Sequence, residues 1–450
     1  ILKEGQTIDR SKATGLRSKL DRILIHKVWG YVIFFLVLLS IFQAIYDWAT
    51  VPMDLIDTTF ASLAEWVKVT FPGGGKVTDL VAEGIVSGIG GIVIFIPQIA
   101  FLFLFISILE ESGYMSRVVF LMDRVMRRFG LSGKSLVPLI SGTACAIPAV
   151  MATRNIENWK ERLITILVVP FTTCSARLPV YLIIIALVIP DGSIIGLSYQ
   201  ALTLMALYLL GFGMAIFSAY ILDRVLKTKH KTFFVVEMPN YKLPLLKNVI
   251  ITVIEKTKTF VFEAGKIILA ISIILWVMAS YGPGDKFNNA ESYVKETSTT
   301  QSTSELNDQI AAFKLEHSYI GIVGKTIEPL IKPLGYDWKV GIGLVASFAA
   351  REVFVGTLAT IYSVGSAGEG ENIETIKTKM ANETYADGTK VFTLASGISL
   401  LLFYAFAMQC MSTLAIVRRE TKTWKWPILQ LIGMTAIAYI CALIAFQFLK

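Results

Sequence analysis

The sequence predicts an all-α integral membrane protein: a multi-pass helical bundle with two re-entrant or broken-helix gate motifs, arranged as an inverted repeat. Three observations carry that expectation. Of 450 residues, 54% are hydrophobic and only 17% charged, where a soluble chain is roughly a quarter charged. The apolar residues fall in runs, Trp29–Ile45, Gly91–Leu109, Ala201–Leu222, Ile267–Ala279 and Leu394–Val417, each near the roughly 20 residues that cross a bilayer core. Two further apolar stretches, 134–153 and 338–363, do not fit a simple crossing, and two segments, 138–148 and 170–179, carry a cysteine between paired prolines.

The elements follow in chain order. Residues 1–27 form a basic leader with Lys3, Arg10, Lys12, Arg17, Lys19, Arg22 and Lys27, read as a cytoplasmic linker tail. Basic residues recur at Arg117–Lys134, Arg224–Lys258 and Arg418–Lys425, whereas 47–80, 282–318 and 364–390 lean acidic. Positive loops stay in the cytoplasm, so the N-terminus is predicted inside. Spans follow near 28–46, 81–109, 163–190, 200–224, 261–281, 391–416 and 426–449. These divide into a first half over 28–260 and a second over 261–450, the latter with periplasmic loops 282–318 and 364–390 rich in Ser, Thr and Glu.

Residues 134–153 and 338–363 do not fit a simple crossing, because each has flanks of one sign at both ends. Re-entrant backbone is tolerated where protein or a polar cavity surrounds it. The two stretches also resemble each other. Gly130 and Lys134 precede the first as Gly335 and Lys339 precede the second, and each ends in Ala-Thr. Paired interrupted segments of opposite orientation mark a substrate site near the membrane midplane.

The first break runs from Pro138 through Ser141, Gly142, Thr143 and Cys145 to Pro148. The second places Thr172, Thr173, Cys174, Ser175 and Arg177 between Pro170 and Pro179. Proline removes a helix donor and frees the carbonyl four residues earlier, so both motifs create acceptors within an apolar setting. One such motif is ordinarily a kink; two, each centred on a cysteine, point to function. A third polar group, Met408, Gln409, Cys410, Ser412 and Thr413, lies deep in 391–416. Thiolate, thioether, hydroxyl and carbonyl ligands together suit a borderline or soft transition metal. Charged residues within spans are functional candidates: Glu110 and Glu111 at the end of the second span, and Arg351 and Glu352 inside 338–363. For the latter pair a local ion pair locking two helices is the competing reading.

His26, His230 and His317 all lie in flanks or loops, which argues against a histidine metal cage or a membrane Ser–His hydrolase. No Gly-x4-Gly-Lys-Ser/Thr phosphate loop is present; Gly133-Lys134-Ser135 has its ending only. Cys145, Cys174, Cys410 and Cys441 sit in or beside apolar segments, so no disulfide framework is expected, and Cys441 reads as core. A transporter rather than an enzyme is expected.

In this order, Leu20 to Gly30, Glu110 to Arg117, Gly133 to Ala149, Cys174 to Tyr181, Ala349 to Val353 and Tyr404 to Thr421 resemble the membrane region of the FeoB family, the prokaryotic ferrous iron transport proteins B. The resemblance covers the chain from about residue 18 onward. It implies Fe²⁺ import across the bacterial inner membrane, with Cys145 and Cys174 in the two gate motifs that handle the ion and Met408 and Cys410 at the family's later Met-x-Cys position. Glu352 joins these as a metal candidate; Glu110, Glu111, Ser141, Thr143, Thr173, Ser175, Arg177 and Arg351 are assigned to the transport pathway. Family members usually begin with a GTP-binding domain and a helical linker. The start at Ile1 favours a piece of a longer chain over a separate polypeptide, so GTP and Mg²⁺ would act only through that domain. The implied partners are the ion, the bilayer, the GTPase domain, small cytoplasmic accessory proteins and further copies of the chain, with no nucleic acid. A permease for Mn²⁺, Zn²⁺ or a nucleoside-like solute is the alternative within transport, and a membrane scaffold or receptor the alternative outside it.

Overall fold

The computed structural model describes residues 21–26, 28–71, 75–190, 192–194, 197–226, 242–297, 310, 313–348, 351, 353–354, 357–358, 380, 390–408 and 410–450. Most of the leader, nearly all of 364–390, part of 282–318 and Glu352 therefore lie outside the described residues. Apart from a two-strand ladder pairing Ser193–Ile194 with Leu197–Ser198, the described chain is helical. Five helical runs are long and apolar enough to cross a membrane: Val77–Glu111, Trp159–Val188, Tyr199–Val225, Leu394–Thr421 and Lys425–Leu449.

The first helix, α1 (Trp29–Thr70), has 42 residues, about 60 Å at ~1.5 Å per residue. The helix thus continues past the expected span of 28–46, through residues expected to form a polar loop. Thr58, Thr59 and Ser62 bond back to the carbonyls of Asp54, Leu55 and Thr58. These hydroxyls are satisfied inside the helix, so polar composition here does not end it. Its second half lies against a glycine-rich segment, a π-helix Leu80–Val86 running into Ser87–Val93. A Cβ on Gly90 would sit 3.0 Å from Phe60 Cβ. The predicted span 81–109 lies within the crossing-length run Val77–Glu111, which has a two-residue turn at 94–95 before α2 (Ile96–Glu111).

The predicted correspondence around Gly130 and Gly335 takes a definite form. After α3 (Tyr114–Met126), a 3-10 turn Arg127–Phe129 leads to Gly130 at φ 74°; a second helix, Tyr319–Ile331, leads through Lys332–Leu334 to Gly335 at φ 82°. Leu131 N–H then closes on Met126 O at 3.2 Å, and Tyr336 N–H on Ile331 O at 3.4 Å. This six-to-one closure around a left-handed residue is a glycine device. Ser132 and Asp337 then start the next helices.

Following Gly130 come α4 (Leu136–Ala144), α5 (Ala146–Ala152), α6 (Trp159–Val168), α7 (Leu178–Val188) and α8 (Tyr199–Val225). A long α9 (Leu246–Ser280), which begins well before the predicted 261, packs along α2. The Gly335 arm comprises α10 (Tyr319–Ile331), α11 (Trp338–Ser347), α12 (Leu394–Phe406), α13 (Met411–Thr421) and α14 (Lys425–Leu449). Each arm thus contains a broken helix, α6–α7 and α12–α13, followed by a long one. The expected single span 391–416 is broken between Phe406 and Met411, a third break beside the two that proline marks.

Within the predicted loop 282–318, Asp285–Asn288 and Ala290–Thr297 are short helices. Buried residues from both arms share one apolar cluster that includes Ile99, Val168, Tyr181, Tyr336, Phe354, Tyr404 and Ala438. The end of the leader is tied down by an ion pair of Asp21 with Arg117 at 2.7 Å.

Candidate functional site

Each break is a chemical problem, since a carbonyl without an N–H partner must find another donor when it is buried. In the first, Pro148 has no N–H for Ala144 O. The Ser175 hydroxyl donates to that oxygen at 2.9 Å, and Gln98 Nε2 donates to Ser175 Oγ at 2.9 Å. In the second, Pro170 leaves Ile166 O without its helical donor. Gln430 Nε2, from α14, donates to Ile166 O at 3.2 Å and to Leu167 O at 3.0 Å. The next carbonyls belong to Arg177, which is fully buried. Its Nη2 donates to Pro170 O at 3.0 Å and its Nη1 to Thr172 O at 3.2 Å. Arg177 is thus a buried cap that holds the break open.

The third break has no proline. Its ends are bonded to the second re-entrant stretch instead: Met411 N–H donates to Phe348 O at 3.1 Å, and Arg351 Nη2 to Ala407 O at 3.3 Å. A helix interrupted where neighbouring backbone and side chains supply the missing partners is the usual form of non-helical backbone at membrane depth.

These breaks share a register that sequence alone does not show. Cys145 (φ −157°, ψ 132°), Cys174 (φ −90°, ψ 162°) and Cys410 (φ −155°, ψ 101°) are all extended, and each stands immediately before the next helical segment. The three breaks converge. Cys145, Cys174, Cys410 and Met408 line one cavity of about 100 Å³ with Gln98, Thr172, Ser175, Arg351, Ser412 and Thr413, closed by Phe95, Ile99, Leu102 and Phe260. All four cysteines are reduced thiols. Close approach of the elements requires small residues. A Cβ on Gly142 would stand 2.5 Å from Thr172 Oγ1, and one on Gly211 2.9 Å from Phe171 O.

Of the residues singled out from sequence, the cavity gathers Cys145, Cys174, Cys410, Met408, Ser175 and Arg351. Others are elsewhere. Thr143 bonds to Ile140 O inside α4, and Ser141 and Thr173 are buried away from the lining. Glu110 is exposed at the end of α2. Glu111 Oε2 accepts from Leu245 N–H at 2.7 Å, placing a carboxylate at the start of α9, where the helix dipole favours one. Cys441 is partly buried in α14. Thr172, Ser412 and Thr413 of the polar groups also line the cavity; Gln98 was not singled out. Gln98 follows Pro97 inside an apolar run, and a lone amide there is the signal that would have found it. Among the described residues no group of three or more His, Cys, Asp or Glu is assembled as a metal cage. The thiols share a cavity without forming a closed ligand set.

Comparison with known proteins fits this geometry. A family model described as Gate, nucleoside recognition, matches residues 92–188 and 261–424, and one described as the ferrous iron transport protein B C terminus matches 204–256. The "Fe(2+) transporter FeoB" of Leptospira interrogans serovar Lai is 44% identical over 431 residues, 96% of this chain and 59% of that protein. The one from Staphylococcus aureus (strain COL) is 35% identical over 437 residues, 96% of this chain and 59% of its own length. An "Fe(2+) transport protein A/Fe(2+) transporter FeoB fusion protein" of Porphyromonas gingivalis is 34% identical over 455 residues, 99% of this chain and 53% of the relative. The chain therefore spans 59% of the length of the first of these relatives. No solved structure matches. The Gate model spans all three breaks, and the chain belongs to this family as a multi-pass membrane protein of the FeoB type.

Proposed function

We propose that the chain is the permease part of a ferrous iron importer of the bacterial cytoplasmic membrane, and that Fe²⁺ crosses through the cavity between the three breaks. The observation that carries this reading is the convergence of Cys145, Cys174 and Cys410, each at a helix break, with Met408 on one cavity wall. Thiolate and thioether sulfur select borderline and soft metals over Na⁺, Mg²⁺ or Ca²⁺. An ion that must leave as well as enter is served by ligands met in turn, from breaks on different helices, rather than by a closed cage. The relatives' names support iron as the cargo.

A nucleoside-like cargo is disfavoured by size, since a cavity of about 100 Å³ is well below the ~300 Å³ at which organic-ligand pockets begin. The N-terminus lies in the cytoplasm, and nucleotide energy comes from a GTPase domain that the basic leader joins to the bundle. The fusion in Porphyromonas gingivalis supports a small accessory protein as a further partner.

Ferrous uptake into proteoliposomes by the full-length protein tests the reading. Cys145→Ser and Cys174→Ser are each expected to lower uptake at least about tenfold, the scale on which changes around a metal site act, while the protein stays folded. Wild-type uptake in both variants would remove the sulfur pathway. Excess Mn²⁺ or Zn²⁺ that abolished iron uptake while itself being carried faster would reassign the cargo.

A further inference from the structure

The cavity assigned to a cation is lined by a permanent positive charge. Arg351 is 5% exposed, its guanidinium stays protonated in proteins, and no other described lining residue has an acidic or basic side chain apart from the thiols. Its Nη2 donates to Ala407 O, but Nη1 has no hydrogen-bond partner among the described residues. Beside it on the cavity wall, the Ser412 hydroxyl is 1% exposed and likewise unpartnered.

Ser412 lies in the first turn of α13, an 11-residue helix with Cys410 at its N-cap, and Arg351 lines the same cavity. Met411 N–H is taken by Phe348 O and Thr413 N–H meets the Cys410 thiol, which leaves Ser412 N–H without a helical acceptor. The positive end of the helix dipole points the same way. A buried guanidinium, a buried hydroxyl and a helix N-terminus, all short of acceptors, converge on one corner.

We propose that this corner binds a small monovalent anion of the halide class, held by Arg351 and by the hydroxyl and backbone N–H of Ser412. One fixed positive side chain calls for one negative charge, which favours a halide over phosphate. A cavity of about 100 Å³ leaves room for a halide and a metal ion side by side, a water-sized occupant taking about 30 Å³. The anion offsets the charge of Arg351 and lowers the electrostatic barrier to a divalent cation among the thiols. That consequence rests on the transport reading; the binding itself does not.

The test uses the full-length protein in detergent, with sodium bromide exchanged for sodium gluconate at constant ionic strength. Bromide is expected to raise the thermal midpoint saturably, by about 3 °C, and to give an anomalous diffraction peak beside Arg351. The rise should vanish in Arg351→Gln and shrink in Ser412→Ala; if the arginine variant does not fold, Ser412→Ala decides. Equal wild-type midpoints in both salts would overturn the proposal and leave a thiolate of the chain as the counter-charge. An undiminished bromide response in the variants would overturn it too, by moving the ion elsewhere. Ferrous uptake is read separately. Uptake with no bromide response sinks the anion site alone, and a bromide response with no uptake sinks the transport reading alone.

Discussion

At one end of α13 a buried carboxylate is gripped by two guanidiniums; at the other, a buried guanidinium meets one carbonyl. Glu420, whose side chain is 3% exposed, takes Arg154 at 2.5 Å and Arg162 at 2.8 Å. Arg154 follows α5 and Arg162 lies in α6, so the cluster ties the stretch between the first two breaks to the helix beyond the third. A glutamate in the last turn opposes the helix dipole, and the two arginines offset that. Arg351, near the start of the same helix, has no comparable partner among the described residues. The difference separates two uses of buried charge. Where partners are complete, the group fixes geometry; where they are missing, the site is open to something that is not part of the chain.

Variants can break or sharpen this contrast. Glu420→Gln should be the most damaging to stability. Removing one member of a buried ion cluster costs about 3 to 5 kcal/mol, and the 44% exposure of Arg154 places the loss near the lower figure. Equilibrium unfolding in mixed detergent measures it, and a loss under about 1 kcal/mol would mean that Glu420 is not a fastening. Gly142→Ala follows, at about 2 kcal/mol from overpacking, because its Cβ must displace Thr172 where the first two breaks meet. The same unfolding measurement would show it, together with lower ferrous uptake as the cavity deforms.

Ser175→Ala should cost about 1.5 kcal/mol, the scale of a buried carbonyl left without a donor, here Ala144 O. Ser175→Thr, which keeps the hydroxyl, should recover most of that. Arg351→Gln should be the mildest, within about 1 kcal/mol in gluconate, since only one bond to Ala407 O is lost while a buried charge is removed. A cost as large as that of Glu420→Gln would erase the distinction between the two ends.

Much of this arrangement is legible in the residues. Pro138, Pro148, Pro170 and Pro179 announce the first two breaks because each removes an N–H from a helix. Gly130 and Gly335 announce the repeat because only a residue at ease with positive φ closes both turns. The third break has no such mark. Between Leu394 and Thr421 there is no proline, and the helix is interrupted because Phe348 and Arg351 bond to its ends from a distant segment. Local sequence does not encode that.

The reach of α1 to Thr70 is hidden for a related reason, since Thr and Ser read as loop residues until their hydroxyls are seen bonded to their own helix. Cysteine is not a helix-capping residue type, so its place at the head of all three resumed segments is visible only in three dimensions. Nor does sequence distance reveal that Ser175 and Gln430 supply the donors that proline removes elsewhere.

The central claim is that sulfur from three separate breaks lines one cavity and is met there by a metal ion. X-ray absorption on the full-length protein loaded with one equivalent of Zn²⁺, a redox-stable surrogate, tests it most directly. The account predicts sulfur scatterers at about 2.3 Å, fewer in each of Cys145→Ser, Cys174→Ser and Cys410→Ser, and fewest when all three are replaced. A first shell of oxygen and nitrogen only, or a sulfur shell unchanged in the triple variant, would contradict it.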